Sequence, residues 1–312
     1  MKKFIKRLFI FFIPVIAFIA VWEYGLSTMT NSYMLKREQL ETQATKIEVL
    51  VLGGSYTLRG VNPAYFCMKG YNLGDVEQSL FYDSRITLKY LDKMTSLKVV
   101  LVAISYNSLW LKLYGSRIGF RVYYYAHYWG IRYPAVKWYN IRNYSNILDY
   151  GNSTAFGFAL KGFKVNLVRD YQDNGWAIKW RKSRPMNDLS GKIMMNRVNK
   201  SCKKAILDSN ISYVEDLLEQ LNKRGIHPVI FSPPVTVHTY KFMEPNRVKT
   251  MDSAISGLCA IYHCKFYDYQ EDKRFTDKDF EDVNHLNPEG AAKFSKIINN
   301  EILAKYCVSS SK

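Results

Sequence analysis

Two groups of residues near opposite ends of the chain carry the functional groups that serine-dependent acyl transfer needs. An apolar run, Ile47–Leu52, ends in a Gly-Gly turn followed by Ser55, and far downstream Asp282 lies three residues before His285. In such chemistry the serine attacks a carbonyl carbon, the histidine accepts the serine proton and the carboxylate orients the histidine. Ser55 alone would also suit a helix cap, and the Asp-His pair alone would suit a surface turn. Together they predict a catalytic site.

The segments between these groups alternate between two hydrophobic patterns. Nearly continuous apolar runs, typical of buried parallel strands, are followed by apolar residues at helical spacing. The predicted strands are Ile47–Leu52, Tyr71–Gly74, Lys98–Ser105, His227–Ser232 and Cys264–Tyr269. The predicted helices are Val76–Met94, a helix with Ser212 as its N-cap that runs through Lys223, Pro245–Ala260, and a last helix capped by Asn287 that runs to about Tyr306. This alternation predicts an α/β fold with a doubly wound, flavodoxin-like parallel sheet.

Three residues with potential site roles follow the first three predicted strands. Ser55 follows the first strand, Gly74 ends the second, and Asn107 follows the third. Ligand sites in doubly wound sheets lie beyond the carboxyl ends of the strands. We therefore expect these three residues to lie near one another at a single site.

The N-terminus has the pattern of a membrane anchor. Basic residues precede an uncharged, mostly apolar run from Leu8 to Trp22, and this order places the N-terminus in the cytoplasm. The run is short for a span of about 20 residues, but it becomes long enough if Glu23 snorkels and the next residues lie at the interface. A cleaved signal peptide is the alternative, although no pair of small residues marks a cleavage site. Both interpretations export the rest of the chain.

We therefore expect a cytoplasmic tip and transmembrane anchor at 1–27, a stalk at 28–45, and an extracytoplasmic domain at 46–312 that contains an insertion at 109–204. Between Leu111 and Lys204 there are eighteen Lys or Arg, four Asp and no Glu, so this stretch carries +14 of the chain's +17. Aromatic residues crowd the same stretch, among them Tyr123, Tyr124, Tyr125, Tyr128, Trp129, Trp138, Tyr139, Trp176 and Trp180. Because it is too apolar to be disordered, it is interpreted as a folded cap.

The basic aromatic insertion suits an anionic partner. Cations near an anionic leaflet contribute about 1 kcal/mol each, and Tyr and Trp favour the membrane interface. An acidic or sugar polymer is the other candidate, since aromatic rings stack on sugar rings. Nucleic acid would suit the charge equally well, but export argues against it. The plainer alternative is a solvated basic surface over an aromatic core.

The remaining chemistry-bearing residues predict neither a cofactor nor a metal site. The cysteines form no C-x-x-C pair and no zinc-like spacing with the histidines. There is no phosphate-binding glycine loop and no dinucleotide fingerprint. Cys259 and Cys264 are close enough in sequence to pair, although export permits disulfides without requiring them. His238 follows the fourth predicted strand and is a weaker candidate for contact with substrate.

With these motifs in place, the chain resembles the SGNH, or GDSL-like, hydrolase superfamily over about 47–108 and 224–306. The resemblance implies Ser55 as the nucleophile, with His285 and Asp282 as its partners. It also implies an oxyanion hole made by Ser55, Gly74 and Asn107. Two motifs differ: the usual Gly-Asp-Ser is Gly-Gly-Ser here, and the usual Gly-x-Asn-Asp is Ser-Tyr-Asn-Ser at 105–108.

An anchor joined to such a domain is similar to the membrane-tethered proteins of alginate O-acetylation and of D-alanine transfer to teichoic acid. That resemblance implies an acyltransferase of the cytoplasmic (inner) membrane, with its catalytic domain in the periplasm and an envelope or exported polysaccharide as substrate. It also implies a multi-spanning membrane acyltransferase as a partner. A carbohydrate esterase of the same fold is one alternative. A non-catalytic scaffold that binds a polymer or a membrane partner is another.

Overall fold

A computed structural model of the chain describes residues 2–150, 152–168, 170–178, 185–200 and 204–307. The chain divides into two compact units. One consists of Met1–Arg37 and Leu113–Arg169, and the other of Glu38–Lys112 and Asp170–Lys312. The predicted insertion at 109–204 is therefore shared between the two units. Its residues Trp180, Arg181, Lys182, Arg184 and Cys202 lie outside the described residues.

The second unit, called the sheet unit below, holds a fully parallel sheet. Among the described residues its strands are β1 (Val49–Leu52), β2 (Gly70–Asn72), β3 (Val99–Ala103), β4 (His227–Ser232) and β5 (Lys265–Asp268). Their order is β2-β1-β3-β4-β5, with Val49 opposite both Gly70 and Val99. The predicted α/β fold with a doubly wound parallel sheet is confirmed. In this order the chain reverses direction across the sheet between β1 and β3, where such folds bind ligands.

The helices of the described residues precede β1, lie between successive strands, and follow β5. In chain order they are α1 (Lys2–Ser27), α2 (Ser32–Gln43), α3 (Ser55–Gly60), α4 (Leu80–Tyr90), α5 (Arg121–Trp129), α6 (Asn146–Tyr150), α7 (Asn152–Leu160), α8 (Asp188–Asn199), α9 (Lys204–Lys223), α10 (Val237–Tyr240), α11 (Pro245–Tyr262), α12 (Pro288–Ile298) and α13 (Ala304–Cys307). Asn287 caps α12 as predicted, because its side chain accepts a hydrogen bond from the Gly290 N–H at 2.8 Å.

One predicted helix start is wrong. Ser212 lies inside α9, which already begins at Lys204. The preceding residues Ala205 to Leu207 are good helix formers, and a serine costs little in a helix interior. The earlier start also has a structural use. Buried Asn210 donates its amide to the Leu109 carbonyl at 2.9 Å and thereby holds the chain that leaves β3.

The core of the sheet unit lies between the sheet and α12. Val51, Leu101 and Phe231 on the strands pack in one buried cluster with Phe294 and Ile298 of α12. The end of the same helical segment is covalently tied back to the sheet unit. Cys307 forms a disulfide with Cys67, 240 residues earlier in the chain, and the sequence patterns did not predict this pair. Cys259 and Cys264 are both free thiols, with their sulfur atoms 2.9 Å apart.

The first unit contains the apolar N-terminal helix. The stretch Lys3–Ser27 of α1 has a mean hydropathy of 2.3, so it is long and apolar enough to cross a membrane. Its last turns pack in this unit, where Leu26 and Met29 form a buried cluster with Ala155. Glu23, which follows the apolar run, is half-buried. Its carboxylate accepts hydrogen bonds from the first residues of α6, including the Asn146 N–H.

Candidate active site

The turn between β1 and α3 presents Ser55. Gly53 has φ +138°, which side chains other than hydrogen rarely permit, and a Cβ there would lie 2.9 Å from the Cβ of Ala103. The chain can therefore reverse tightly over β3 and begin α3 at Ser55. At this first helical position the Ser55 N–H has no partner within the helix, and none among the described residues. Its hydroxyl and its N–H belong to one half-buried corner of the turn.

A second turn, between β5 and α12, presents His285. The Oδ1 of Asp282 accepts hydrogen bonds from the backbone N–H groups of Asn284 and His285, both at 2.9 Å. The Glu281 N–H also donates to the His285 carbonyl at 2.8 Å. These bonds close the five residues 281–285 into a compact loop. The spacing of three residues therefore brings the carboxylate and the imidazole together within one turn.

The two turns meet through His285. Its Nε2 lies 2.9 Å from the Ser55 Oγ, and its Nδ1 lies 2.9 Å from the Asp282 Oδ1. Burial opposes the charge on Asp282, but the hydrogen bond and the attraction of His285 outweigh burial and lower the pKa of this carboxyl to about 2. An ionised Asp282 requires Nδ1 to be the protonated nitrogen. Nε2 of the neutral ring is then left to accept the Ser55 proton.

Contacts from neighbouring elements hold the two turns in register. Arg59 of α3 forms an ion pair with Glu281 at 3.7 Å, and both side chains are nearly buried. Thr236 Oγ1 donates to the Val283 carbonyl at 2.9 Å, so the start of α10 is tied to the loop that carries Asp282. The ring of Tyr56 lies 5.5 Å from the His285 imidazole, centre to centre. The relay is therefore fixed from three sides.

Gly74 lies in the buried turn after β2, and its N–H already has a partner. This N–H donates to the Asn72 Oδ1 at 2.9 Å. A Cβ at Gly74 would lie 2.3 Å from the Thr57 Oγ1 and 2.9 Å from the Gly53 carbonyl oxygen, so only glycine fits beside the nucleophile turn. The structure thus gives Gly74 a packing role at this position, and its N–H points to Asn72.

Asn107 lies just beyond β3, half-buried, where it lines a small cavity together with Tyr56 and Ser105. Its side-chain amide makes no hydrogen bond within the described part of the chain. Ser105 and Ser108, the other polar members of the same motif, hydrogen bond to each other at 2.9 Å. The asparagine is therefore the member of this motif whose side chain remains available to a ligand.

Two buried polar residues that the motifs did not single out support the nucleophile turn. Asp83 of α4 accepts the Gly53 N–H at 3.0 Å and the Gln78 amide at 2.7 Å, and burial raises its pKa to about 7. Asn72 donates to the carbonyls of Thr57 and Val61, both at 2.7 Å, and so fixes the end of α3. In the sequence, both Asp83 and Asn72 are polar residues among apolar neighbours of a helix or a strand, and this pattern could have indicated a buried polar contact.

His238 lies outside the relay. Its Nδ1 is 2.8 Å from Asp188 of α8, and its Nε2 is 3.1 Å from Asp277. The bond to Asp188 is the main reason why the pKa of His238 is raised. The histidine thus links α8 to α10. In the described ranges, no group of three or more His, Cys, Asp or Glu is placed to hold a metal ion.

Comparisons with known proteins add little to this geometry. Neither a family model nor a curated protein sequence matches the chain. A candidate acylhydrolase from Bacteroides fragilis NCTC 9343 has a similar solved structure, with a TM-score of 0.42, 10% identity, and coverage of 88% of this chain and 99% of that chain. A GDSL-like lipase from Bacteroides thetaiotaomicron VPI-5482 has a TM-score of 0.42, 11% identity, and coverage of 88% and 100%. Likeness at this level establishes neither a shared family nor a shared activity.

Proposed function

We propose that this chain is a membrane-anchored serine acyltransferase or esterase whose sheet unit acts outside the cytoplasm on an envelope or exported polysaccharide. The observation that carries the proposal is the unbroken relay from Ser55 Oγ through His285 to Asp282, with 2.9 Å at each step. Nucleophile and base within hydrogen-bond reach, and a third group that orients the base, are the recognised arrangement of an activated serine.

In the proposed reaction Ser55 Oγ attacks the carbonyl carbon of an ester, and its proton passes to Nε2 of His285. The ionised Asp282 stabilises the imidazolium that forms. When the tetrahedral intermediate collapses, His285 returns the proton to the departing oxygen and an acyl-Ser55 ester remains. An acceptor hydroxyl of a glycan, or water, then attacks this ester with the same proton transfers in reverse order. Transfer and hydrolysis thus share every protein group.

The developing oxyanion needs hydrogen-bond donors near Ser55. We assign the Ser55 N–H as the first donor, because it has no other partner in the described residues. The Asn107 amide is the second candidate. Gly74 would have to exchange its bond with Asn72 for one with the oxyanion. Loss of one such donor typically costs roughly 100- to 1000-fold in rate.

Three features support the proposed location. The helix α1 is long and apolar enough to span a membrane, and basic residues precede its apolar run. The disulfide between Cys67 and Cys307 suits an oxidising compartment such as the periplasm. The strongly basic stretch at 111–204 suits an anionic leaflet or an acidic polymer. A multi-spanning membrane acyltransferase as acyl donor is part of the same proposal.

The proposal is tested by labelling with a fluorophosphonate, which reacts with activated serines. The wild-type protein should be labelled and Ser55→Ala should not. The matched control is Ser209→Ala, because Ser209 lies on the exposed surface of α9 and should have no influence on labelling. Undiminished labelling of Ser55→Ala would remove Ser55 from the mechanism. An unlabelled wild-type protein would favour the non-catalytic scaffold.

A further inference from the structure

A small apolar cavity lies in the sheet unit beyond the carboxyl ends of β3, β4 and β5. Tyr56 and Asn107 line one side of it, and Met194, Met195 and Met243 line another. The cavity offers about 10 Å³ to the centre of a water-sized sphere. That is room for roughly one small group.

Two residues that line the cavity connect it with the turn and the loop that carry the proposed reacting groups. Tyr56 follows Ser55 directly in the chain, and its ring lies 5.5 Å from the ring of His285. Thr239, a further wall residue, donates its hydroxyl at 2.5 Å to the carbonyl of Val283, between Asp282 and His285. The wall is therefore bonded to the same loop that carries the base.

The walls are apolar and firmly held. Met195 of α8 and Met243 are 1% and 8% exposed, and they pack in one cluster with Tyr106. The Tyr106 hydroxyl donates to Asn199 at 2.9 Å and accepts the Glu244 N–H at 3.0 Å, so its ring cannot swing away. A sugar ring is too large for a space of about 10 Å³. A methyl group matches the cavity in both polarity and size.

We propose that this cavity holds the methyl end of the acyl group during attack by Ser55, and that its methionines restrict this group to acetyl. This inference rests on the proposed function and names the acyl group that Ser55 takes. In the step, Ser55 Oγ bonds to the acyl carbon and the bond from that carbon to the leaving oxygen breaks. The serine proton moves through His285 to the leaving alcohol, and the methyl end remains between Met194, Met195 and Met243.

The test uses the full-length protein with p-nitrophenyl acetate, butyrate and octanoate. Mass spectrometry measures acylation of the Ser55 peptide, and p-nitrophenol release gives the rate. The acetate should acylate Ser55 at least about tenfold faster than the octanoate, since even one methylene that does not fit changes rates by roughly 10- to 200-fold. Met195→Ala should lower the ratio of the acetate rate to the octanoate rate, because the enlarged cavity accepts longer chains. Met194→Ala is a second variant for the same test, and because Met194 is half-buried this change should destabilise the fold less.

The matched control is Met251→Ala on α11, which removes an equally buried methionine that does not line the cavity. It should keep the wild-type preference. Equal acylation of Ser55 by acetate and octanoate in the wild-type protein would overturn the acyl cavity and leave the serine mechanism intact. Acylation of Ser55 by none of the esters would instead overturn the proposed function itself, and the acyl cavity with it.

Discussion

Individual residues of the relay should contribute unequally to the proposed reaction. His285 transfers the proton in both half-reactions, whereas Asp282 orients and stabilises it. We expect His285→Ala to lower the rate of acylation by at least about 10³-fold, and Asp282→Asn to lower it less. The measurement is the rate of Ser55 acylation by an activated ester. Circular dichroism should show that both variants remain folded, and a near-normal rate in folded His285→Ala would exclude it as the base.

The buried carboxyl of Asp83 is expected to contribute to the pH dependence of stability. Burial raises its pKa from 3.8 in a free chain to about 7 in the fold. A raised pKa means that the folded state prefers the protonated acid. Its contribution is therefore fully present below pH 4 and is lost as the pH rises to about 7, by up to about 4 kcal/mol. Stability should fall across this range.

The variant Asp83→Asn tests this assignment. An amide is neutral at every pH and its Oδ1 can still accept the Gly53 N–H, so the variant should lose the part of the slope between pH 4 and 7 that Asp83 contributes. Asp149, whose pKa is also raised to about 7 by burial, should keep its own part. Urea unfolding at a series of pH values gives the free energy of unfolding. The control is Asp92→Asn, an exposed carboxyl that should keep the wild-type slope. Identical slopes in Asp83→Asn and wild type would contradict the argument from burial.

At the scale of elements, the packing of α8 against α10 decides where the methionines lie. Gly191 of α8 faces α10 so closely that a Cβ would lie 1.8 Å from the carbonyl oxygen of His238. Because that atom is backbone, Gly191→Ala must push α8 away. The expected loss is about 1–3 kcal/mol, together with a weaker preference for short acyl chains.

A matched glycine exists on α11. Gly257 is exposed, and a Cβ there meets nothing within 4 Å. Gly257→Ala should therefore be neutral or should stabilise the protein by up to about 1 kcal/mol, since glycine is a poor helix former. Thermal unfolding of the two variants gives the comparison. If Gly191→Ala proves as stable as Gly257→Ala, helices α8 and α10 are not in close contact at Gly191.

For the whole molecule, the excess of positive charge predicts binding to an anionic surface. A soluble chain that begins at Trp22 removes most of the apolar run but keeps Leu26 and Met29 in their buried cluster. We expect this chain to sediment with anionic liposomes, or to bind an acidic glycan, at low salt. Added salt should release it, since screening shortens to about 8 Å at physiological ionic strength.

Charge reversal locates the binding surface. Lys161→Glu with Lys164→Glu changes two exposed cations of the first unit and should weaken binding. Lys249→Glu with Lys273→Glu makes the same change in net charge on the sheet unit and is the control. Charge reversal at the basic residues Arg181, Lys182 and Arg184 should also weaken binding. No binding at low salt would leave the stretch as a structural cap, and salt-insensitive binding would assign it to the aromatic residues.

The sequence alone was sufficient for the alternation of strands and helices, and it named the residues of the relay. Nearly continuous apolar runs identify parallel strands because both faces of such a sheet are covered. His227–Ser232 was therefore found with its observed bounds, and Asn287 was found as a helix cap. The pairing of Asp282 with His285 was also readable, because a side chain three residues away can be reached within one local turn.

Only the tertiary structure decided what depends on contacts between distant parts of the chain. Ser55 and His285 are 230 residues apart, and the order of the strands brings them within 2.9 Å. The sequence predicted that the Gly74 N–H would help to form the oxyanion hole. In the fold this N–H donates a hydrogen bond to Asn72 Oδ1. The disulfide of Cys67 and the cavity beside Tyr56 depend in the same way on packing between elements. Local patterns contain no such information, because each contact is set by the positions of whole helices and strands.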